Sequence, residues 1–592
     1  MLFDEEDDTM KRVRGFLLVL CMLFLGLQWN VVIPEAAART VKIELKAADI
    51  KKQGFDTVMQ NALNEARSKA TAKKPYEIKV PGGTYQLDHT LLVYSNTKLI
   101  LKGVTLRAAK EKNVFHIGSL DTDSSGAKGY CYKNISIEGG ILDGRNHSGT
   151  VVKVGHAENF QMTGVTLCNV KNAHLMETGG VKGLTVKDCT FKNQVSTSKD
   201  IIYYEAIQLD ILYPWHLVAY RAETLNTTDV LIDHCKFINT PRGVGSHTAI
   251  LNQPMKNITI SNCTFEKMGS AAIQGLNWKN VTITNNVIKE APRGIACYLT
   301  ASNGNGTYLP SVLSKTGKTT TKLSDRYKAP DKNMGLLIKG NTITTNAKED
   351  PYAFYERVAI YVGGADIEQK FTNKRDQSGS LPFGAYYYSG VKIQDNTIRT
   401  TGHGIRFVDT KNAEVSGNVI KGSKTKDSTN YYGIQIMTNS KDVDIRDNQI
   451  QNAVTNGIYV NKDSEVKAIT GNTITGSGKY GIGIETAAVE SISDNTIKDT
   501  ALRGIFVFKH ATVQEIGNNE IHTVSDADGR GIHVCESSAV GRVAGNTITN
   551  PGVFGIVVTS ASSVDTVEGN EVTGATKAGI RAASDSTIKS GY

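Results

Sequence analysis

Proline is scarce in this chain, at 12 of 592 residues, and aromatic side chains make up only 7%. No helical period interrupts its repeated part, which excludes alternating βαβ modules. Eight cysteines are present, seven of them beyond the first 38 residues, and no two form a CxxC pair. An odd, scattered set of this kind does not make the disulfide framework of a small secreted domain. Long hydrophobic runs are also missing. The longest, Phe16 to Leu27, is too short for a membrane span. What remains is 40% hydrophobic, 21% charged and rich in glycine (56 residues), the composition of a soluble, turn-rich protein.

The N-terminal segment reads as a targeting signal. Basic residues Lys11, Arg12 and Arg14 precede the apolar run, and "EAAAR" supplies small residues for cleavage near Ala38. Residues 1–38 are therefore expected to be a signal peptide and the protein to be secreted or held at the cell surface. It would touch a membrane only if the leader stayed uncleaved. The acidic "MLFDEEDD" ahead of Met10 is unusual for such a segment and suggests a later start. The formal charge is +9; without the three basic and six acidic leader residues it is 64 minus 52, or +12. A basic exported protein suits an anionic polysaccharide rather than nucleic acid as partner.

Short phrases recur throughout: "IKGNTI", "IQDNTI", "ITGNTI", "ISDNTI", "VAGNTI". Their asparagines fall at 286, 341, 396, 418, 448, 472, 495, 519, 546 and 570, mostly 21 to 30 residues apart. Upstream, Cys168, Cys189, Cys235 and Cys263 take the same slot and read as small inward residues. About fourteen residues before each asparagine stands a second phrase, such as "GIQIM", "GIYVN" or "GIHVC". Alternation at period two puts isoleucine and valine on one face. The solution is a parallel β-helix of about 16 rungs, in which each turn buries its apolar face against the last. Aligned asparagines then hydrogen-bond along a ladder. Residues 39–105 form an N-terminal cap. Within it, 55–70 has Val58, Ala62, Leu63 and Ala66 on one helical face. Residues 106–592 form the shaft, with loop insertions at about 211–226, 299–333 and 366–388.

The cap helix, "VPGGTY" and the repeated "NxI" and "GI" phrases resemble the pectate-lyase-like superfamily of right-handed parallel β-helix proteins. The resemblance spans nearly all of the chain beyond the leader and implies that all-β fold. It does not choose an activity, because the superfamily includes lyases, hydrolases, epimerases and phage tailspikes.

Chemistry is expected where the repeat is disturbed, between 172 and 390. The first insertion carries Tyr213, Trp215 and His216, rings suited to sugar faces. Aligning "EAIQLD", "RGVGSH", "SAAIQG" and "RGIACY" puts Ile207, Val244, Ile273 and Ile295 inward. Gln208, Asp210, His247, Gln274 and Tyr298 then face outward. Asp210 and His247 share a column, their Cβ atoms roughly 5 Å apart. A carboxylate beside an imidazole favours its protonated form, an arrangement suited to proton transfer. Glu205, Arg242 and Arg293 open their strands, and the guanidinium groups could clamp sugar carboxylates. His174 falls at the start of the preceding strand, where Glu177 would face inward. Gly245 leaves open space beside the pair.

Asp210, His247 and Glu205 are thus the candidate catalytic residues. Arg242, Arg293, Gln208, Gln274, His174, Trp215 and Tyr298 are the candidate substrate-binding ones. "EAIQLD" and "GVGSH" resemble elements of the polygalacturonase-like hydrolases, but the adjacent Asp pair and the "RIK" element of that family are missing. A lyase or C5-epimerase would use His247 or an arginine as base, with Arg242, Arg293 or a bound Ca²⁺ neutralising the uronate carboxylate. No acidic cluster assigns ligands to such an ion. The sequence points to a monomer that cleaves an acidic polysaccharide as a lyase or hydrolase. The competing reading is a non-catalytic, cell-surface glycan binder.

Overall fold

The computed structural model describes residues 39–591, apart from 121–125, 198–203, 213–216, 218, 222, 251–252, 300–306, 309–332, 346–356, 368–369, 373–377, 381–383 and 424–430. The chain winds as a parallel β-helix with up to three short strands per turn. Each strand of the shaft pairs in parallel with its counterpart one turn on, while Ala365–Ile367 pairs antiparallel with Gly384–Tyr386 and Lys370–Thr372 with Ser378–Ser380. In the first sheet Glu205–Asp210 is followed by Arg242–Gly245, Ala271–Leu276 and Arg293–Tyr298. In the second, Met255–Ser261 is followed by Trp278–Thr284 and Leu336–Lys339. The third sheet holds seventeen strands, one per rung, against the sixteen or so expected.

The expected register is the observed one. Ile207, Val244, Ile273, Ile295 and Ile360 lie on one another in an unbroken inward column, and all are fully buried. On the third sheet Phe191, Phe237 and Phe265 stack with centroids 5.1 and 4.7 Å apart. The glycine of each "GI" phrase follows from this tight stacking. A Cβ on Gly504 would meet the Gly531 carbonyl oxygen and Ile521 Cγ2, both at 2.6 Å.

The asparagine ladder is continuous. Asn472 donates from Nδ2 to Asn495 Oδ1 at 3.0 Å, while its own Oδ1 accepts the Asn448 N–H at 3.0 Å. Nδ2 also reaches the carbonyls of Ile445 and Thr470. Cysteine continues this polar column and is more than an inert small residue. The Cys263 N–H donates to Asn286 Oδ1, the Cys235 N–H to Cys263 Sγ, and the Cys189 thiol to the Lys187 carbonyl. Cys168 is a correction. It pairs with Lys192 inside a strand, and Val165, beside Cys189, fills the slot instead.

At the N-terminal end the expected helix is Phe55–Lys69, with a shorter one, Ala47–Gln53, before it. The chain turns between them at Gly54, whose φ of 86° suits glycine. Ala62, Leu63 and Ala66 are buried as expected, with Phe55 and Met59, whereas Val58 is only partly covered. Gln60 accepts the Leu92 N–H and lies within reach of its carbonyl, so a side chain occupies the sheet edge that a further strand would have paired. Among the described residues no helix is long and apolar enough to cross a membrane.

Replacing one ladder amide strands buried groups on two rungs. Asn472→Ala is expected to lower unfolding free energy by about 2–4 kcal/mol, since each unsatisfied buried group costs about 1–3 kcal/mol. Asn472→Cys should recover part of that loss, because a thiol serves the same slot upstream. Denaturant unfolding of the two variants checks both expectations.

Candidate functional site

Three outer columns of the first sheet converge near the 211–226 insertion. The first column holds His174, Glu205 and Arg242, with Glu205 and Arg242 in direct register. The second holds Lys153, Glu177, Gln208 and Gly245. The third runs through Gly155 and Gly179 to Asp210. Here the sheet changes: the strand Arg242–Gly245 ends two residues before His247, where the chain bends.

That bend decides the pairing. His247 Nδ1 lies 3.1 Å from Glu205 Oε2, and Arg242 Nη1 donates to Glu205 Oε1 at 2.9 Å. A carboxylate partner of His247 is therefore Glu205, which the alignment did not pair with it. Asp210 accepts the Ile211 N–H at 2.8 Å, the Gln208 amide at 2.9 Å and the Thr248 hydroxyl. The Gln208 amide nitrogen is also 3.2 Å from each ring nitrogen of His247, so it bridges the two expected partners. His174 Nδ1 contacts the Glu205 carbonyl at 2.8 Å, and its ring stacks on that of His247 with centroids 6.1 Å apart.

Several expectations are corrected. Gln208, Asp210 and Gln274 lie off the core side of the sheet but are covered, each 1% exposed. Arg242 is also 1% exposed and bound to Glu205, so it does not stand free to clamp a sugar carboxylate. Glu177 does not face inward: Met176 pairs with Ile207, which leaves Glu177 beside Gln208 and 3.1 Å from Lys153. Its strand lacks the "GI" phrase that fixed the other registers. Gly245 faces no open space, because a Cβ there would sit 2.9 Å from the Gln274 carbonyl and 3.1 Å from Glu205 Cγ. Arg293 lies three rungs from Glu205, with its guanidinium 5.9 Å from the centre of the Tyr361 ring. Nearby, Gln274 donates to the Tyr298 hydroxyl at 2.9 Å. Tyr213, Trp215 and His216 lie outside the described residues, as do most of the 299–333 insertion and much of 366–388.

The electrostatics follow from burial and pairing. Burial alone would raise the Glu205 pKa, but His247 and then Arg242 pull it down to about 2. Burial opposes a charged imidazole at His247, yet the adjacent Glu205 holds its pKa above the ordinary value. Burial pushes Asp210 up to about 7 against the pull of His247, with Glu177 adding to the rise. His174 is kept neutral, its pKa lowered by burial. Near neutrality the cluster thus holds an ionised Glu205, a charged His247 and an Asp210 poised to gain or lose a proton. His247 is its most open member, with 18% of the side chain exposed. A narrow cleft lined by Ile211, Leu225, Ala249 and Asn277 reaches Asp210.

Two family models match the chain. Residues 133–307 match the right handed beta helix region and residues 334–587 match the periplasmic copper-binding protein NosD. The chain is a right-handed parallel β-helix repeat protein. Among solved structures it is similar to the surface adhesin PfbA of Streptococcus pneumoniae, at 16% identity over 76% of this chain and 88% of that one, TM-score 0.40. It is also similar to an exopolygalacturonase from Thermotoga maritima, at 14% identity over 65% and 88% of the two chains, TM-score 0.37. A third is the tailspike of E. coli bacteriophage HK620 in complex with pentasaccharide, at 11% identity over 88% and 74%, TM-score 0.40. No curated protein matches. None of these likenesses bears on the chemistry of this β-helix.

The copper in the second family's description does not fit this donor set. Histidines 403, 510, 522 and 533, Cys535, Met334 and Met437 are the nitrogen and sulfur ligands within 334–587. Among the described residues no three His, Cys, Asp or Glu side chains come together to hold a metal.

Glu205 is the electrostatic keystone of the cluster. Glu205→Gln is expected to lower stability by about 3–5 kcal/mol, the usual cost of leaving a buried partner charge uncompensated. Because the folded-state pKa is depressed, its contribution is present above the ordinary carboxylate pKa. It is lost as pH falls from about 4.5 toward about 2. Unfolding free energies across that range should fall steeply for the native chain and much less for the variant.

Proposed function

We propose that this β-helix hydrolyses glycosidic bonds of an acidic, uronate-containing polysaccharide outside the cytoplasm, with Asp210 as general acid. One observation carries the reading: Asp210 keeps its proton up to about pH 7 beside the carboxylate Glu177 and the imidazolium of His247. Burial raises Asp210 toward the acid role, while the Glu177 carboxylate beside Lys153 is placed to act as base. In the reaction Asp210 gives its proton to the glycosidic oxygen as the bond to the anomeric carbon breaks. Water attacks that carbon, and Glu177 takes up the proton it releases. Glu205 touches no substrate. It is a positioning residue that fixes the His247 ring and keeps it cationic.

The charge of the cluster supports an anionic substrate. Lys153, Arg242 and charged His247 face Glu177 and Glu205, three cations against two anions while Asp210 is protonated. Gln208 Oε1 and Gln274 Oε1 are buried without a hydrogen-bond partner, acceptors that sugar hydroxyls could satisfy. A charged His247 also argues against proton abstraction by this residue near neutrality, and so against its use as a lyase base. The leader and the match to a periplasmic family support an extracytoplasmic location.

The deep burial of Glu205, Arg242 and Asp210 favours a second reading, a non-catalytic glycan-binding shaft whose cluster fastens the rungs together. Incubation with polygalacturonate separates the two. Hydrolysis predicts new reducing ends without the ultraviolet absorbance of unsaturated products. Asp210→Asn should reduce turnover by about 10²-fold or more. Activity should fall as pH rises through about 7, where Asp210 loses its proton. Unsaturated products would establish a lyase, and binding without any product would establish the shaft.

A further inference from the structure

From seven rungs beyond Glu205 the same face of the first sheet changes character. Tyr480, Arg503, Arg530 and Phe554 follow one another in one outer column. In the next column Tyr459, Gly483, Phe506 and His533 do the same. The rings of Tyr459, Phe506 and Phe508 pack with Cys535 in a cluster of their own, apart from the core of the shaft, and Tyr480 leans on it. This is the region where the repeat is most regular and carries few insertions, so sequence irregularity gave no sign of it.

The arginines are the unusual part. Arg503 and Arg530 are directly opposed on successive strands, where like charges destabilise a sheet. Among the described residues no carboxylate lies within ion-pair distance of either. Their hydrogen bonds go to the Leu502 and Asp528 carbonyls, at 2.7 and 3.2 Å, and from Arg503 Nε to His533 Nδ1 at 3.3 Å. Arg530 Nε is buried without a partner. His533 does not answer them with charge. Burial and the two arginines push its pKa down to about 3, so it stays neutral.

We infer that Arg503 and Arg530, flanked by the rings of Tyr480 and Phe506, form a second binding lane for an anionic polysaccharide, separate from the Glu205 cluster. Two guanidinium groups on adjacent rungs present paired donors to successive carboxylates of one polymer. The aromatic ledge beside them offers an apolar surface for the faces of the sugar rings. A nucleic acid fits less well. Phe506 already stacks on Phe508 at 4.2 Å and on His533 at 5.1 Å, so bases would have to part rings that are in contact. The lane does not depend on the hydrolytic reading of the other site.

The test uses the full chain carrying Asp210→Asn, so that substrate is not consumed, with polygalacturonate and alginate oligomers as probes. The lane predicts that Arg503→Gln/Arg530→Gln weakens binding at least tenfold at low salt and flattens its salt dependence. Methyl-esterified polygalacturonate should bind the parent as weakly as the free-acid form binds the double variant. Arg503→Lys/Arg530→Lys keeps the charge and should lose less, which guards against a folding defect. Independently, hydrogen exchange of the native chain should slow at residues 503–508 and 530–534 when oligomer is added. Binding unchanged by the double variant, no binding of either oligomer, protection confined to 174–247, or tighter binding of single-stranded DNA would each overturn the lane. If cleavage persists in Asp210→Asn, the hydrolytic reading fails and the lane stands.

Discussion

In-register parallel pairing is the constraint on which this molecule depends. Strands about 4.8 Å apart place every side chain directly over the residue in the same slot one turn away. An apolar slot gains from this repetition, and the isoleucine column runs unbroken through the first sheet. A polar slot survives only if it complements itself. Asparagine does, because its amide donates in one direction along the column and accepts in the other. A charged slot cannot, since stacking puts like on like unless the residue type changes from rung to rung.

The Glu205 cluster shows such a change. Along one column the order is histidine, carboxylate, guanidinium, so each buried ion meets an opposite or neutral neighbour. Taking charges out of water is costly, and this arrangement offsets the cost only with several hydrogen bonds per ion. Glu205 has such partners in Arg242 and His247. Asp210, two columns over and bonded to Gln208, Thr248 and the Ile211 N–H, holds its proton instead. The same burial thus gives two carboxyl groups opposite behaviour, and the difference lies in what stands on the adjacent rung.

Much of this was legible in the sequence, because the fold is itself a repeat. The "GI" and "NxI" phrases carry the register, and register alone placed Glu205 beside Arg242 and aligned Ile207 with Val244. Reading failed where the phrase was absent or the strand stopped. Glu177 sits in a strand with no glycine–isoleucine marker, so its face could not be counted. His247 lies past the end of its strand, where alternation no longer says which way a side chain turns, and the bend carried it to Glu205. Cys168 resembled its ladder neighbours in type but sits three residues beyond the slot. Such errors are of phase, and a one-residue slip in a strand exchanges inside for outside.

The same rigidity that fixes register also fixes distance. From Glu205 to Arg503 the first sheet takes nine steps, or about 43 Å at the strand spacing. Both clusters lie on one sheet whose strands pair rung on rung all the way from Glu205 to Arg503. A polymer held at one would meet the other at high effective concentration if it is long enough to reach, and gain nothing if it is shorter. Binding strength should therefore depend on chain length with a threshold set by the rung count. A single pocket would not impose such a threshold, whereas two clusters on a stacked scaffold would, with the rungs between them serving as a ruler.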